Sequence, residues 1–143
     1  MSKKRFVNSH FWRDTFIHSL LPDEKLLYLY FFTNPDTELC GIYELRLEQI
    51  NIDTKIPEKR ILEILKTFER MNRVLFTNGW VIVRNFQKHQ SYNKNMEEGA
   101  KKCFLRVPKD ILAKITQKWN DWVIIGESLG NCYTPTPTPT PTP

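Results

Sequence analysis

The reading of this chain turns on Pro57-Glu58-Lys59-Arg60-Ile61-Leu62-Glu63-Ile64-Leu65-Lys66-Thr67-Phe68-Glu69-Arg70-Met71-Asn72 and the run directly after it: Arg73-Val74-Leu75-Phe76-Thr77, Asn78-Gly79, then Trp80-Val81-Ile82-Val83-Arg84-Asn85-Phe86. Ile61, Ile64, Leu65, Phe68 and Met71 recur at intervals of three and four, the apolar stripe of an α-helix, and Pro57 suits its first turn. The next two runs are β-rich and separated by Asn-Gly. A two-residue type I′ turn needs positive φ at both central positions, and Asn-Gly supplies it at low strain. A basic helix leading directly into a tight hairpin predicts a winged helix-turn-helix.

The hairpin fixes a register. Thr77 opposes Trp80, Leu75 opposes Ile82 and Arg73 opposes Arg84 on one face, while Val74, Phe76, Val81 and Val83 take the other. Both faces are apolar, so each needs a cover. The Leu26–Phe32 helix suits one; the N-terminal aromatics, the C-terminal helix or a partner chain suits the other. Two opposed arginines repel unless an anion lies nearby, a protein carboxylate or a phosphate.

Upstream, Leu45 to Ile50 predicts one or two helical turns with Leu47 and Ile50 facing inward, and residues 51–56 connect it to the Pro57 helix at helix-turn-helix spacing. Gly41-Ile42-Tyr43 allows a short strand. Pro22 opens a further helix, with Asp23 and Glu24 favouring its N-terminus and Thr33-Asn34-Pro35-Asp36 stopping it. Leu26, Leu27, Leu29, Tyr30, Phe31 and Phe32 make it apolar nearly all round, hence central and buried. Phe11, Trp12 and Phe16 are too many large rings for a free arm. They are expected in the core, leaving only residues 1–5 loose.

Downstream, residues 87–95 are polar and basic. Met96 to Arg106 and the segment after Val107-Pro108, with Ile111, Leu112, Ile115 and Trp119, predict two more helices. The ordered chain is expected to close at Trp122-Val123-Ile124-Ile125. From Thr134 strict Thr-Pro alternation favours extended polyproline II and cannot build a core. The domain division expected is therefore 1–126 for the folded unit and 127–143 for a disordered Thr-Pro linker or tail. The repeat breaks off within itself, as it would in a linker to a further domain; a tail of no consequence is the alternative.

The 143 residues, 41% hydrophobic and 13% aromatic, suffice for one domain with its own core. No apolar run reaches the ~20 residues of a membrane span, and no apolar segment follows the basic N-terminus as in a signal peptide. Cys40, Cys103 and Cys132 are distant from one another in sequence and form no CxxC, nor do His10, His18 and His89 complete a zinc spacing. Reduced cysteines in a cytoplasmic protein, with no cofactor or metal, is the expectation. Isolated glycines exclude a phosphate loop, and the acids sit on helix surfaces or at caps, where nothing raises their pKa for catalysis. No enzyme is predicted.

The formal net charge is +5, unevenly placed. Residues 21–54 hold Asp23, Glu24, Asp36, Glu38, Glu44, Glu48 and Asp53 against Lys25 and Arg46. Residues 55–73 and 84–109 are net basic. Positive charge around and after the hairpin is what a polyanion-binding face requires. On the Pro57 helix Lys59, Glu63, Lys66 and Arg70 share the outer face, with Arg60 and Thr67 beside it. A helix fits the major groove, and Glu63 could accept from a cytosine amine. The same charges could also satisfy one another along the helix as i,i+4 pairs. The predicted DNA-contacting set is Lys59, Arg60, Glu63, Lys66, Thr67, Arg70, Arg73, Asn78, Arg84, Lys88, Lys94, Lys101 and Lys102, forming one surface across helix, wing and the 88–102 segment.

Phe11-Trp12-Arg13-Asp14, Lys25-Leu26-Leu27-Tyr28-Leu29-Tyr30, Thr33-Asn34-Pro35, Gly41-Ile42-Tyr43 and Val83-Arg84-Asn85-Phe86-Gln87-Lys88-His89-Gln90, in that order, resemble the N-terminal winged-helix domain of phage and prophage replication-initiation proteins, relatives of the DnaD-type primosome proteins of low-GC Gram-positive bacteria. The resemblance covers roughly residues 5–115. It implies origin or single-strand/duplex DNA binding in phage replication inside a bacterial host, self-association into a homo-oligomer, and contact with helicase-loading or primosome proteins through a C-terminal region outside this sequence. Asn51 and Lys55 stand where a small residue and a glycine are expected in the helix-turn-helix. Two other readings fit the same pattern: a winged-helix transcriptional regulator, and a protein-interaction or oligomerisation winged helix with little DNA binding.

Overall fold

The computed structural model describes residues 4–86, 90 and 94–119. A 3-10 turn at Ser9–Arg13 precedes α1 (Thr15–His18), α2 (Pro22–Thr33), β1 (Ile42–Glu44), α3 (Leu47–Thr54), α4 (Glu58–Arg70), β2 (Val74–Thr77), β3 (Trp80–Val83), α5 (Lys94–Leu105) and α6 (Lys109–Lys118). The fold is mainly helical α+β, with an antiparallel three-stranded sheet ordered β1-β3-β2. Among the described residues no helix is long and apolar enough to cross a membrane. Lys88, Trp122 to Ile125 and the Thr-Pro repeat lie outside the described residues.

Pro22 occupies the first turn of α2, and the Glu24 carboxylate accepts from the Leu21 N–H at 2.7 Å, satisfying a donor that the helix start leaves open. Leu27, Tyr28, Phe31 and Phe32 are buried, but Leu26 is 47% exposed. The helix is thus covered along one face rather than all round, as its composition had suggested.

Helix α3 runs to Thr54, past the Ile50 expected for its end. Lys55 then takes a left-handed φ of 65°, the conformation that glycine adopts without strain. Side chains close the turn in place of that glycine. The Asn51 Nδ2 donates to the Ile56 carbonyl at 2.7 Å, and Thr54 Oγ1 donates to the Ile50 carbonyl at 2.7 Å while accepting from the Ile56 N–H at 3.2 Å. Pro57 stands just before α4, whose Ile61, Ile64, Leu65 and Phe68 are buried as the spacing predicts. Met71 departs from the stripe. The helix has ended at Arg70, and the left-handed Asn72 (φ 59°) turns the chain toward β2, leaving Met71 42% exposed.

The hairpin has the predicted register, Thr77 opposite Trp80 and Leu75 opposite Ile82, with positive φ at Asn78 (50°) and Gly79 (78°). The Arg84 N–H donates to the Arg73 carbonyl at 3.0 Å, continuing the pairing one step beyond the strands. β1 adds to β3 with Ile42 opposite Ile82. At its start Gly41 has φ +77°, and a Cβ there would lie 2.7 Å from the Phe86 Cβ.

The two sheet faces lead to two cores. Val74, Val81 and Val83 join Phe11, Phe16, Tyr28, Phe32, Ile61, Ile64, Phe68 and Phe86. Tyr28 is the hub, with ring centroids 5.0 Å from Phe16, 5.1 Å from Phe32 and 5.4 Å from Phe68. On the other face Leu75, Ile82, Ile42 and Cys40 meet Ala100, Cys103 and Phe104 of α5 and Ile111, Ile115 and Trp119 of the α6 segment. Of the covers considered for that face, the C-terminal helices take it. The N-terminal aromatics go to the first core.

Trp12 is the exception among them, 49% exposed. Of two adjacent rings on a tight turn only Phe11 points inward, against Tyr28 at 5.9 Å, while Trp12 meets Phe11 edge-on at 5.3 Å. Arg5, expected to be loose, donates from Nε to Thr37 Oγ1 (2.8 Å) and from Nη2 to the Thr37 carbonyl (2.9 Å). Beside it the Gln90 side-chain amide accepts from the Phe6 N–H and donates to the Phe6 carbonyl.

Candidate nucleic-acid interface

With Ile61, Ile64, Leu65 and Phe68 turned into the core, the opposite side of α4 faces solvent. Lys59, Glu63, Lys66 and Arg70 are all exposed there, together with Glu58 and Leu62. Thr67 lies half-buried at the edge, its hydroxyl directed to the Glu63 carbonyl at 3.4 Å. Three cations against two carboxylates leave the face only mildly positive.

Arg60 is drawn away from it. Its Nε and Nη2 donate to the two Asp23 carboxylate oxygens at 2.7 and 3.1 Å, Nη2 also reaches Glu24 at 3.4 Å, and Nη1 reaches Glu63 at 3.5 Å. A guanidinium and a carboxylate in this forked arrangement match in shape as well as charge. The Arg60 hydrogen bonds hold the Asp23 carboxyl below its usual value and raise Arg60 in turn. Arg60 therefore ties the start of α4 to the start of α2, a role that its placement among helix cations had concealed.

The two arginines do not share the expected face, since Arg73 turns to the first core and Arg84 to the second, and each is answered from within the protein. Arg73 has its guanidinium carbon 4.2 Å from the Phe16 ring centroid, with Nη1 4.0 Å from Asp14. Arg84 lies over the Trp119 ring at 5.4 Å. A carboxylate and two aromatic faces thus stand where a phosphate was one of the two anions considered.

Asn78 is exposed at the tip of the hairpin. The turn is braced, because the Gly79 carbonyl accepts from the Leu45 N–H at 2.9 Å. The predicted basic residues are not all on the α4 side of the sheet. Lys94, Lys101 and Lys102 belong to α5, which packs on the sheet face opposite to the one α4 covers, and Lys101 pairs with Glu98 at 3.7 Å.

Helix α6 supplies two cations outside the predicted set. Lys118 meets Glu69 of α4 at 2.9 Å, and Lys114 Nζ donates to Thr77 Oγ1 at 3.1 Å beside the turn. Their i,i+4 spacing on a helix with an inward Ile111/Ile115 stripe was the available signal. Among the described residues no group of three or more His, Cys, Asp or Glu could hold a metal ion. No protein-family model, curated protein or solved structure matches this chain.

Proposed function

We propose that the chain is a winged helix-turn-helix module that binds DNA in phage-type replication initiation, with α4 as the groove-facing helix, the Asn78-Gly79 turn as the wing and no catalytic step. The observation that carries this reading is the order α2-β1-α3-α4-β2-β3, in which a three-residue turn (Lys55, Ile56, Pro57) joins α3 to α4 and a tight hairpin comes next. That arrangement leaves the outer side of α4 open for a major groove. Lys59, Lys66 and Arg70 reach phosphate or base edges, Glu63 accepts from a base amine, and Lys114 lies beside the wing. Arg60, Arg73 and Arg84 support the frame in this reading. The replication role, the second copy and the helicase-loading partners rest on the resemblance alone.

A gel-shift titration over salt tests it. Binding that weakens on a log–log salt plot with a slope of roughly −0.9 per phosphate contacted supports the reading, and a lack of binding to any duplex or single strand at low salt sinks it. A second reading, an interaction module that builds assemblies, is favoured by Leu62. This leucine is 44% exposed in the middle of the α4 face, an apolar group where a phosphate-tracking surface has little use for one. Self-association lost on Leu62→Lys, without DNA binding in the parent, would establish that alternative. Preference for one short duplex over random sequence points to a regulator-like specific binder.

A further inference from the structure

We propose that Cys40 and Cys103 are a redox-active thiol pair that forms a reversible intramolecular disulfide, fastening α5 to the segment that enters β1. Distant in sequence by 63 residues, they place their Sγ atoms 2.6 Å apart in the second core. Both are buried. The sulfurs already touch, so joining them requires little backbone movement. Sequence spacing, on which the three cysteines read as reduced thiols, hides the pair.

The two sulfurs differ in access. Cys103 lines a surface pocket of about 460 Å³ together with Asp36, Glu38, Glu44, Trp80 and Arg106, whereas Cys40 is not part of that lining. A hydrogen bond from Cys40 lowers the Cys103 thiol below its ordinary value, and burial pushes the Cys40 thiol up. Cys103 is therefore the attacking sulfur and Cys40 the resolving one.

The oxidant is a small organic disulfide entering the pocket. The Cys103 thiolate attacks one sulfur of R–S–S–R, forming Cys103–S–S–R and expelling one thiolate. Cys40 then loses its proton and attacks the Cys103 sulfur, forming the Cys40–Cys103 bond and expelling the second thiolate. The two protein thiols together give up two protons and two electrons, and the small disulfide leaves as two thiols. Three carboxylates against one guanidinium at the pocket favour a cationic or neutral disulfide over an anionic one.

The test uses the full chain with Cys132→Ser, treated with cystamine, quenched with acid, alkylated after unfolding and mapped by mass spectrometry. The proposal expects the Cys40 and Cys103 peptides to be joined within one chain, at a rate independent of protein concentration, and separated again by dithiothreitol. Cystamine should react severalfold faster than oxidised glutathione at low salt. Cys40→Ser should stop at a cysteamine adduct on Cys103, and Cys103→Ser should leave Cys40 unmodified. Two thiols that both stay alkylatable, or links only between chains, overturn it. The primary readout comes from the protein with the pair intact, so it survives even if either serine variant fails to fold.

Discussion

Helices α4 and α5 both carry a cluster of cations next to the hairpin in sequence, Lys59, Lys66 and Arg70 on one and Lys94, Lys101 and Lys102 on the other, yet the sheet lies between them. The alternation of the strands decides this. Val74, Val81 and Val83 point toward the α2–α4 side, and Leu75 and Ile82 toward α5 and α6. Each helix goes where its apolar stripe is buried, and its charges go with it. Charge density along a sequence therefore says little about which cations share a surface. The two sides also differ in construction. The first core interlocks aromatic rings around Tyr28 with four helices and the N-terminal turn, while the second is a smaller set held by two consecutive helices.

That difference sets the largest expected effect. Phe68 is fully buried against Tyr28 and Phe16, so Phe68→Ala should cost about 3–5 kcal/mol and unfold the domain as a whole. Ile115→Ala, in the second core, should cost about 2–4 kcal/mol, with α5 and α6 exchanging their amides before the rest of the chain does. Urea unfolding with hydrogen exchange measures both. Uniform exchange across the two sides in Ile115→Ala would break the distinction between them.

Gly41 sits where the sides meet, and its backbone allows an internal control. Gly41→Ala meets both a positive φ and the Phe86 Cβ at 2.7 Å, whereas Gly79→Ala has a positive φ and no atom within 4 Å. The first should cost on the order of 2–4 kcal/mol and the second about 1 kcal/mol, read as shifts of the urea midpoint at constant slope. Equal costs would mean that Phe86 yields readily, and that the contact of Gly41 with it matters little.

The charge comparison can be tested directly on DNA. If the chain binds DNA as proposed, replacing Lys66 and Arg70 together by alanine should weaken binding by about tenfold or more near 0.1 M salt and reduce the salt slope by about 2. Replacing Lys101 and Lys102 should change affinity less than about twofold, because α5 is turned to the other side of the sheet. Equal losses would bring α5 back to the DNA and restore the single surface that the sequence had suggested.

The elements that were legible in the sequence owe it to short-range physics. The spacing of Ile61, Ile64, Leu65 and Phe68, the Asn78-Gly79 turn and the helix start at Pro22 each depend on a few neighbouring residues, and the structure has all three. What escaped depends on distant partners. Nothing near Arg60 announces Asp23, nothing near Arg73 announces the Phe16 ring, and Cys40 gives no local sign of Cys103. Trp12 and Phe11 are neighbours of similar character, and only the packing of the turn decides which of them is buried.

The α3–α4 turn is the place where a local expectation and the observed geometry can be separated most finely. A left-handed residue other than glycine carries strain of about 1 kcal/mol, and Lys55 accepts it at φ 65°. Its carbonyl neighbourhood is organised by Asn51 and Thr54 rather than by the Lys55 side chain, which is exposed. Lys55→Gly should therefore stabilise the chain by up to about 1 kcal/mol, less whatever the freer unfolded chain gives back. Asn51→Ala should destabilise it by about 1–2 kcal/mol, since the buried Ile56 loses the partner of its carbonyl. Combined, the two changes should come out near the sum if the amide only satisfies the carbonyl. A larger loss than the sum would mean that the Asn51 amide fixes the path of the turn itself, because a glycine deprived of that tether gains alternative conformations that lysine cannot reach.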